Sequence, residues 1–203
     1  MQPRRVAREL ALLGLSQVSA TREVAAGELD SLILGALRVL TQELEETLEQ
    51  ASSCLKRAYQ QVEHAPHLAE AQLREAIETT RLAINYLGAA TQLPEWVYLA
   101  GQAEVQAFAQ TLLRTWHQHR QQIDDLLQRG IQGWQLQRLH HMERDILRLA
   151  TAELVFLGTP VQVVMNEAVE LGKRYCGEDS YRFINGTLRQ IYLLHQRETA
   201  AQS

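Results

Sequence analysis

Residues 142–157 read MERDILRLATAELVFL, a segment whose apolar side chains would surround a helix on most sides. Apolar residues recur there three and four positions apart, which is the period of an α-helix. They are Met142, Ile146, Leu147, Leu149, Ala150, Leu154 and Leu157. A helix with so wide an apolar surface belongs inside a protein core. We therefore predict a central helix at about 138–157, ended by Gly158 and Pro160.

The same helical period extends across nearly all of the 203 residues, and no alternating run of β-branched residues stands out. Further helices are predicted at about 3–18, 161–176 and 180–197. The predicted fold class is therefore all-α, a bundle of about seven helices.

The 28–130 region contains the longest helical patterns of the chain. An apolar stripe over 28–62 predicts a rod of roughly 50 Å at the standard helical rise. A shorter pattern ends at Gly88, and a third pattern extends over 97–130. Because two long amphipathic helices can bury their stripes against each other, we predict a long antiparallel hairpin here.

The composition is that of a folded globular protein, with 46% hydrophobic and 22% charged residues. No apolar run approaches the length that crosses a bilayer, so no membrane partner is expected. The N-terminus lacks a signal-peptide pattern, and Cys54 and Cys176 are too far apart in sequence for a zinc or disulfide motif. We expect a cytoplasmic protein that uses no cofactor and no metal.

Sequence signatures of enzymes are missing from the chain. It has no Walker loop, GxGxxG, HExxH or GxSxG motif. None of the seven histidines follows a glutamate at the spacing used by di-iron bundles. Glu167 and Glu170 could be an acid/base pair, but Glu170 and Arg174 have the spacing of a surface ion pair. A protein without catalytic activity is therefore predicted.

Arginines cluster at the start of the chain although the net charge is −4. The overall charge argues against general binding of polyanions. However, Arg4, Arg5 and Arg8 lie within about one helical turn, where they could hold RNA phosphates. The alternative is that these arginines only solvate the helix.

The last predicted helix combines an apolar stripe with a polar one. Its inward stripe is formed by Ile184, Leu188 and Ile191. Arg182, Asn185 and Arg189 then share a polar stripe, with Phe183 beside it. Cations, an amide and a flat ring suit unstacked RNA bases, and Gly186 indicates a close approach to the backbone. The alternative places Phe183 in the core and Gly186 at a contact between helices.

Several segments, taken together in this order, resemble one known family. They are RRVARELA (4–11), MERDILRLA (142–150), TPV (159–161), NEAVELGK (166–173) and EDS (178–180), which leads into FING (183–186). Over about 4–17 and 139–195 the chain closely resembles the transcription antitermination factor NusB family. The resemblance implies an all-helical RNA-binding factor.

The resemblance also implies partners and site residues. The expected partners are NusE, a ribosomal protein of the small subunit, the boxA RNA of ribosomal RNA leaders, and the RNA polymerase elongation complex. The family's arginine-rich first helix is matched by Arg4, Arg5 and Arg8. Its RNA-facing residues in the last helix are matched by Asp179, Phe183 and Asn185, and Glu143 matches a position near the NusE contact.

The chain departs from the family at two points. Leu13 and Ser16 replace the usual glutamine and tyrosine of the first helix, which implies a lower RNA affinity or more reliance on the partner. The 28–130 region exceeds the usual family core, so we expect a single NusB-like domain over 1–203 with 28–130 as an expanded helical region. Whether the free protein is a monomer or a homodimer stays open.

Two further functional hypotheses remain. The chain could be an RNA-binding module of ribosome assembly without antitermination. It could also be a structural helical protein whose 28–130 hairpin binds a partner or a second copy of the chain.

Overall fold

The computed structural model describes residues 3–18, 28–63, 70–90, 93–131, 133, 135–177 and 179–202. Regular structure in these ranges is helical throughout, which confirms the predicted all-α class. The nine α-helices are α1 (Pro3–Ser16), α2 (Leu29–Glu63), α3 (Glu70–Ala90), α4 (Leu93–Ala100), α5 (Ala103–Gln118), α6 (Arg120–Gly130), α7 (His141–Phe156), α8 (Val161–Tyr175) and α9 (Ser180–Gln202). A 3₁₀ turn, Leu136–Arg138, precedes α7.

Backbone contacts divide the chain into two compact units. One unit consists of residues 37–101. The other, here called the main unit, contains α1, the first residues of α2, and α5 to α9.

Helix α7 is the centre of the main unit, as its sequence predicts. Every residue of α7 from Asp145 to Leu154 is buried. It packs against α1, α5, α6, α8 and α9. Because five helices surround α7, its position in the main unit is fixed by their packing.

Two glycines allow α9 to approach its neighbours closely. A Cβ atom at Gly130 would lie 2.8 Å from Cγ1 of Ile191, and one at Gly172 would lie 2.8 Å from Cδ1 of Ile184. Both distances are shorter than a carbon contact allows, so a larger residue at either position would push α9 outward. These contacts hold α9 against α6 and α8.

The 97–130 region differs from the single long helix that its pattern predicts. Three helices occur there, with breaks at Gly101–Gln102 and at His119. Gln102 is extended, with φ −71° and ψ 135°. This extended backbone interrupts the helical hydrogen bonding, so the apolar pattern is divided between α4 and α5. Helix α5 instead packs against α1 and α7.

The 37–101 unit buries Leu40 and Trp96, but along the rest of α2 and α3 it buries mainly small side chains. On α2 these are Ala51, Cys54 and Ala58, and on α3 they are Ala76 and Ala83. Many of its large apolar side chains are exposed. Within the described ranges, no helix is both long and apolar enough to cross a membrane.

Candidate RNA interface

Arg8 is buried inside the main unit. Its Nε and Nη2 atoms donate hydrogen bonds of 2.8 and 2.6 Å to the two carboxylate oxygens of Glu153 on α7. The side chains of Arg8 and Glu153 are only 8% and 2% exposed. The sequence prediction that Arg8 holds RNA phosphate therefore does not fit the structure, because its guanidinium is used to join α1 to the core helix.

Arg4 and Arg5 keep exposed surface at the start of α1. Nε and Nη2 of Arg5 donate to both carboxylate oxygens of Glu167, at 3.0 and 2.9 Å, and the Arg5 side chain is 42% exposed. The hydrogen bond with Glu167 raises the pKa of Arg5 above its ordinary value. Arg4 is exposed, and its guanidinium carbon lies 4.5 Å from the centre of the Phe108 ring. Both arginines can still meet phosphate.

The acidic residues of α8 form different ion pairs from the one predicted. Glu170 accepts a hydrogen bond of 2.8 Å from Lys173, one turn away. Arg174 instead lies 3.1 Å from the buried Glu9 of α1, which also accepts a hydrogen bond from the hydroxyl of Tyr175. A buried carboxylate attracts the available cation more strongly than an exposed one does, because water screens it less.

Helix α9 presents the predicted apolar and polar faces. Ile184, Leu188 and Ile191 are fully buried. Arg182, Asn185 and Arg189 are exposed. A Cβ at Gly186 would meet no atom within 4 Å, so the chain makes no helix-packing contact there. The predicted close approach is not made by this chain, and the backbone at Gly186 is open.

A cleft of about 290 Å³ lies between the segment that leads into α7 and the start of α9. Its lining residues are Arg138, Leu139, His140, Glu143, Asp179, Ser180 and Phe183. Phe183 is half-buried at this cleft, so it is not a fully buried core residue. Three residues chosen from the sequence, Glu143, Asp179 and Phe183, are therefore brought together, whereas Arg4 and Arg5 do not line this cleft.

Charges of both signs border the cleft. The N-termini of α7 and α9 carry partial positive charge, and Arg138 adds a cation. Glu143 and Asp179 provide carboxylate acceptors. Burial raises the pKa of the nearby Cys176 thiol to about 11, and the charge of Glu143 contributes to that shift. The cleft can therefore offer a ring for stacking, acceptors for base amino groups and positive charge for phosphate.

Some residues near this cleft were missed by the sequence analysis. Arg138 and His140 line it directly. Tyr181 does not line the cleft and lies beside α8, with the Lys173 ammonium and the Arg182 guanidinium each 5.7 Å from its ring centre. The sequence feature that could have indicated Tyr181 is its position in the polar first turn of α9. Glu178 lies outside the described residues.

Titratable side chains do not assemble into a metal centre in the part of the chain that the structure describes. No group of three His, Cys, Asp or Glu side chains is close enough there to hold an ion.

Comparison with solved structures identifies the class of fold. T. maritima NusB superposes with a TM-score of 0.57 at 23% identity, covering 94% of this chain and 91% of that one. A chain in a structure titled "Crystal Structure of a Plectonemic RNA Supercoil" superposes with a TM-score of 0.57 at 22% identity, covering 97% and 98%. The bundle therefore has the fold of NusB.

Sequence comparison places the chain in a family. The NusB family model matches residues 85–193. Transcription antitermination protein NusB of Synechocystis sp. is 48% identical over 200 residues, covering 94% of this chain and 90% of the relative. The protein of the same name from Picosynechococcus sp. is 45% identical over 197 residues, covering 94% and 92%. The chain belongs to the NusB family of transcription antitermination proteins.

The relatives also share the region that the sequence analysis treats as an expansion. An alignment that covers 94% of this chain extends through most of 28–130. The family model itself begins at residue 85, inside α3. Residues 85–130 are therefore part of the region that the family model matches.

Proposed function

We propose that this NusB-family chain binds single-stranded, boxA-type RNA of ribosomal RNA leaders together with NusE, and that the assembly joins the RNA polymerase elongation complex in the cytoplasm. The observation that supports this most is the cleft where Phe183, Asp179 and Glu143 meet. A ring beside hydrogen-bonding groups is the arrangement that captures unstacked bases. The similar fold in a structure titled for an RNA supercoil is in keeping with an RNA partner.

Each side chain has a proposed role in RNA binding. Phe183 stacks on a base, and Asn185 contacts a base edge. Exposed arginines, Arg182 and Arg189 on α9 with Arg4 and Arg5 on α1, attract phosphates. Phosphate contacts position a nucleic acid, and base-edge contacts specify its sequence. Arg8 has no direct role, because it is buried with Glu153.

Glu143 is the proposed contact for NusE. It lies in the first turn of α7, and its side chain is partly exposed at the cleft. A partner bound there would lie beside the RNA site, so one surface could hold protein and RNA together.

We also propose that the chain acts by binding and not by catalysis. It functions as one NusB-like domain, with 28–130 as its expanded region. A second copy of the chain is a further partner.

The test is a titration of the full chain into labelled boxA-type RNA and into a scrambled RNA of equal length, with and without NusE. We expect tighter binding of the boxA-type RNA and a further gain when NusE is present. Equal affinity for the two RNAs in the presence of NusE would contradict the proposal.

A matched pair of amide variants tests whether Asn185 on α9 recognises the RNA sequence. Asn185→Ala should reduce the preference for boxA-type RNA over the scrambled RNA. Gln190→Ala removes another exposed amide from the same helix, about 140° around its axis, and should leave that preference unchanged. Equal effects of the two variants would assign no base contact to Asn185.

A further inference from the structure

The 37–101 unit has an unusual distribution of side-chain sizes. Over residues 48–87, α2 and α3 bury alanines and a cysteine, Ala51, Cys54, Ala58, Ala76 and Ala83. Large apolar residues of the same stretch are instead 40–65% exposed: Leu48, Leu55, Tyr59, Leu73, Ile77, Ile84 and Leu87. Large side chains normally supply most of the free energy of burial, so this surface lacks the cover that its composition calls for.

The exposed residues follow the helical period and form two stripes. Leu48, Leu55 and Tyr59 are separated by seven and four residues on α2. Ile77 and Ile84 on α3 are separated by seven. Steps of four and seven keep residues within about 40° of one another around a helix, so each helix has one continuous apolar stripe.

The two stripes border one apolar groove of about 790 Å³. Leu55 and Tyr59 line it from α2, and Leu73, Ile77 and Ile84 line it from α3. Two neighbouring helices with their stripes on a shared face have the form of one layer of a four-helix bundle. The layer that completes such a bundle is a second pair of helices.

The exposed area agrees with association of two identical layers. Seven large side chains that each expose roughly 60–120 Å² provide about 600 Å² per copy, or about 1,200 Å² for a pair. That area reaches the lower end of the range for stable interfaces, about 1,200–2,000 Å², before any flanking residue is counted.

Charges beside the stripes are also compatible with a second copy. Glu45 and Lys56 on α2 and Arg74 and Arg81 on α3 lie beside the stripes, and Glu78 forms an ion pair of 2.8 Å with Arg81. These five charges sum to +1, so repulsion between two identical faces is small.

We propose that two copies of the chain associate face to face through the groove between α2 and α3, forming a four-helix bundle. No residue that lines this groove also lines the RNA cleft, and the proposal does not depend on RNA binding.

The test is sedimentation equilibrium of the full chain, up to about 100 µM. The parent should be a dimer. Ile77→Arg places a charge in the groove, and Leu82→Arg is the matched control, because Leu82 is similarly exposed on α3 but about 140° away from Ile77. Circular dichroism confirms that both variants fold.

We expect Ile77→Arg to raise the dimer dissociation constant about 30-fold per site. Since a symmetric dimer contains the substitution twice, the total effect should be roughly 1,000-fold. Leu82→Arg should leave the constant unchanged. A parent that remains monomeric, because the groove serves another protein, overturns the proposal. A folded Ile77→Arg variant that dimerises like the parent also overturns it.

Discussion

Helices α1 and α9 both have arginines that their sequences suggest for RNA binding, yet the two helices use them differently. On α1, Arg8 is buried against Glu153 and Arg5 is paired with Glu167. On α9, Arg182 and Arg189 are exposed to solvent. The difference shows that an arginine stays exposed or becomes a structural cation according to the carboxylates that other helices bring to it.

The largest expected effect separates the structural arginine from the exposed ones. Arg8→Ala would leave the carboxylate of Glu153 buried without its partner, which should lower the free energy of unfolding by ~3–5 kcal/mol. Arg189→Ala, at an exposed position, should change it by less than about 0.5 kcal/mol. Urea unfolding monitored by circular dichroism measures both.

A double variant distinguishes loss of the pair from loss of packing. Arg8→Met with Glu153→Leu removes both charges and should recover most of the stability lost in Arg8→Ala. If Arg8→Ala unfolds at the same urea concentration as the parent, the contrast between α1 and α9 fails.

The next effect concerns stacking at the start of α9. Phe183→Ala should weaken binding of single-stranded RNA by ~1–3 kcal/mol, which is roughly six- to 150-fold. Because Phe183 is half-buried, its loss should destabilise the fold by less than the ~3–5 kcal/mol of a fully buried phenylalanine. Fluorescence anisotropy with labelled RNA and thermal unfolding measure the two effects.

Tyr192→Ala is the matched control for Phe183→Ala, since Tyr192 is another half-buried aromatic residue of α9 and does not line the cleft. It should leave RNA affinity unchanged. Parent-like RNA binding by a folded Phe183→Ala variant would leave the arginines to carry the interaction.

The salt dependence of RNA binding compares the two helices directly. Arg182→Ala with Arg189→Ala should reduce the slope of log affinity against log salt by about 1.4, since each lost phosphate contact in a single strand contributes about 0.7. The Arg8→Met, Glu153→Leu variant should keep the parent slope. If the slope instead falls in the Arg8→Met, Glu153→Leu variant and not in the α9 variant, Arg8 contacts phosphate and the α9 arginines do not.

The smallest effect tests the position of Glu143 beside Cys176. In a Cys54→Ser background, alkylation of Cys176 should rise with pH toward a midpoint of about 11, because burial disfavours the thiolate. Glu143→Gln removes a negative charge that also disfavours the thiolate, so the midpoint should move to lower pH. Mass spectrometry of iodoacetamide-treated protein follows the reaction. If the midpoint does not move, the Glu143 carboxylate does not act on the Cys176 thiol at the end of α8.

The sequence predicts a helix and its buried face well where the apolar spacing within that one segment is sufficient to define them. The apolar residues of α7 correctly indicate a buried central helix, and the buried stripe of α9 is assigned correctly. The 97–130 pattern fails, because apolar residues keep their helical spacing across the breaks at Gly101–Gln102 and at His119. The Glu170–Arg174 pair fails because helical spacing does not reveal a stronger partner on another helix, here Glu9.

The sequence by itself determined the all-helical class, the inward faces of α7 and α9, and the resemblance to the NusB family, since periodicity and motifs are properties of adjacent residues. Only the tertiary structure decided which arginines are structural. Arg8 is buried against a carboxylate 145 residues away in the chain, whereas Arg5 meets one 162 residues away and keeps exposed surface. Likewise, Glu143 meets Asp179 and Phe183 only across a cleft between two helices. Such meetings depend on how helices pack, and the local order of residues along a helix does not specify that packing.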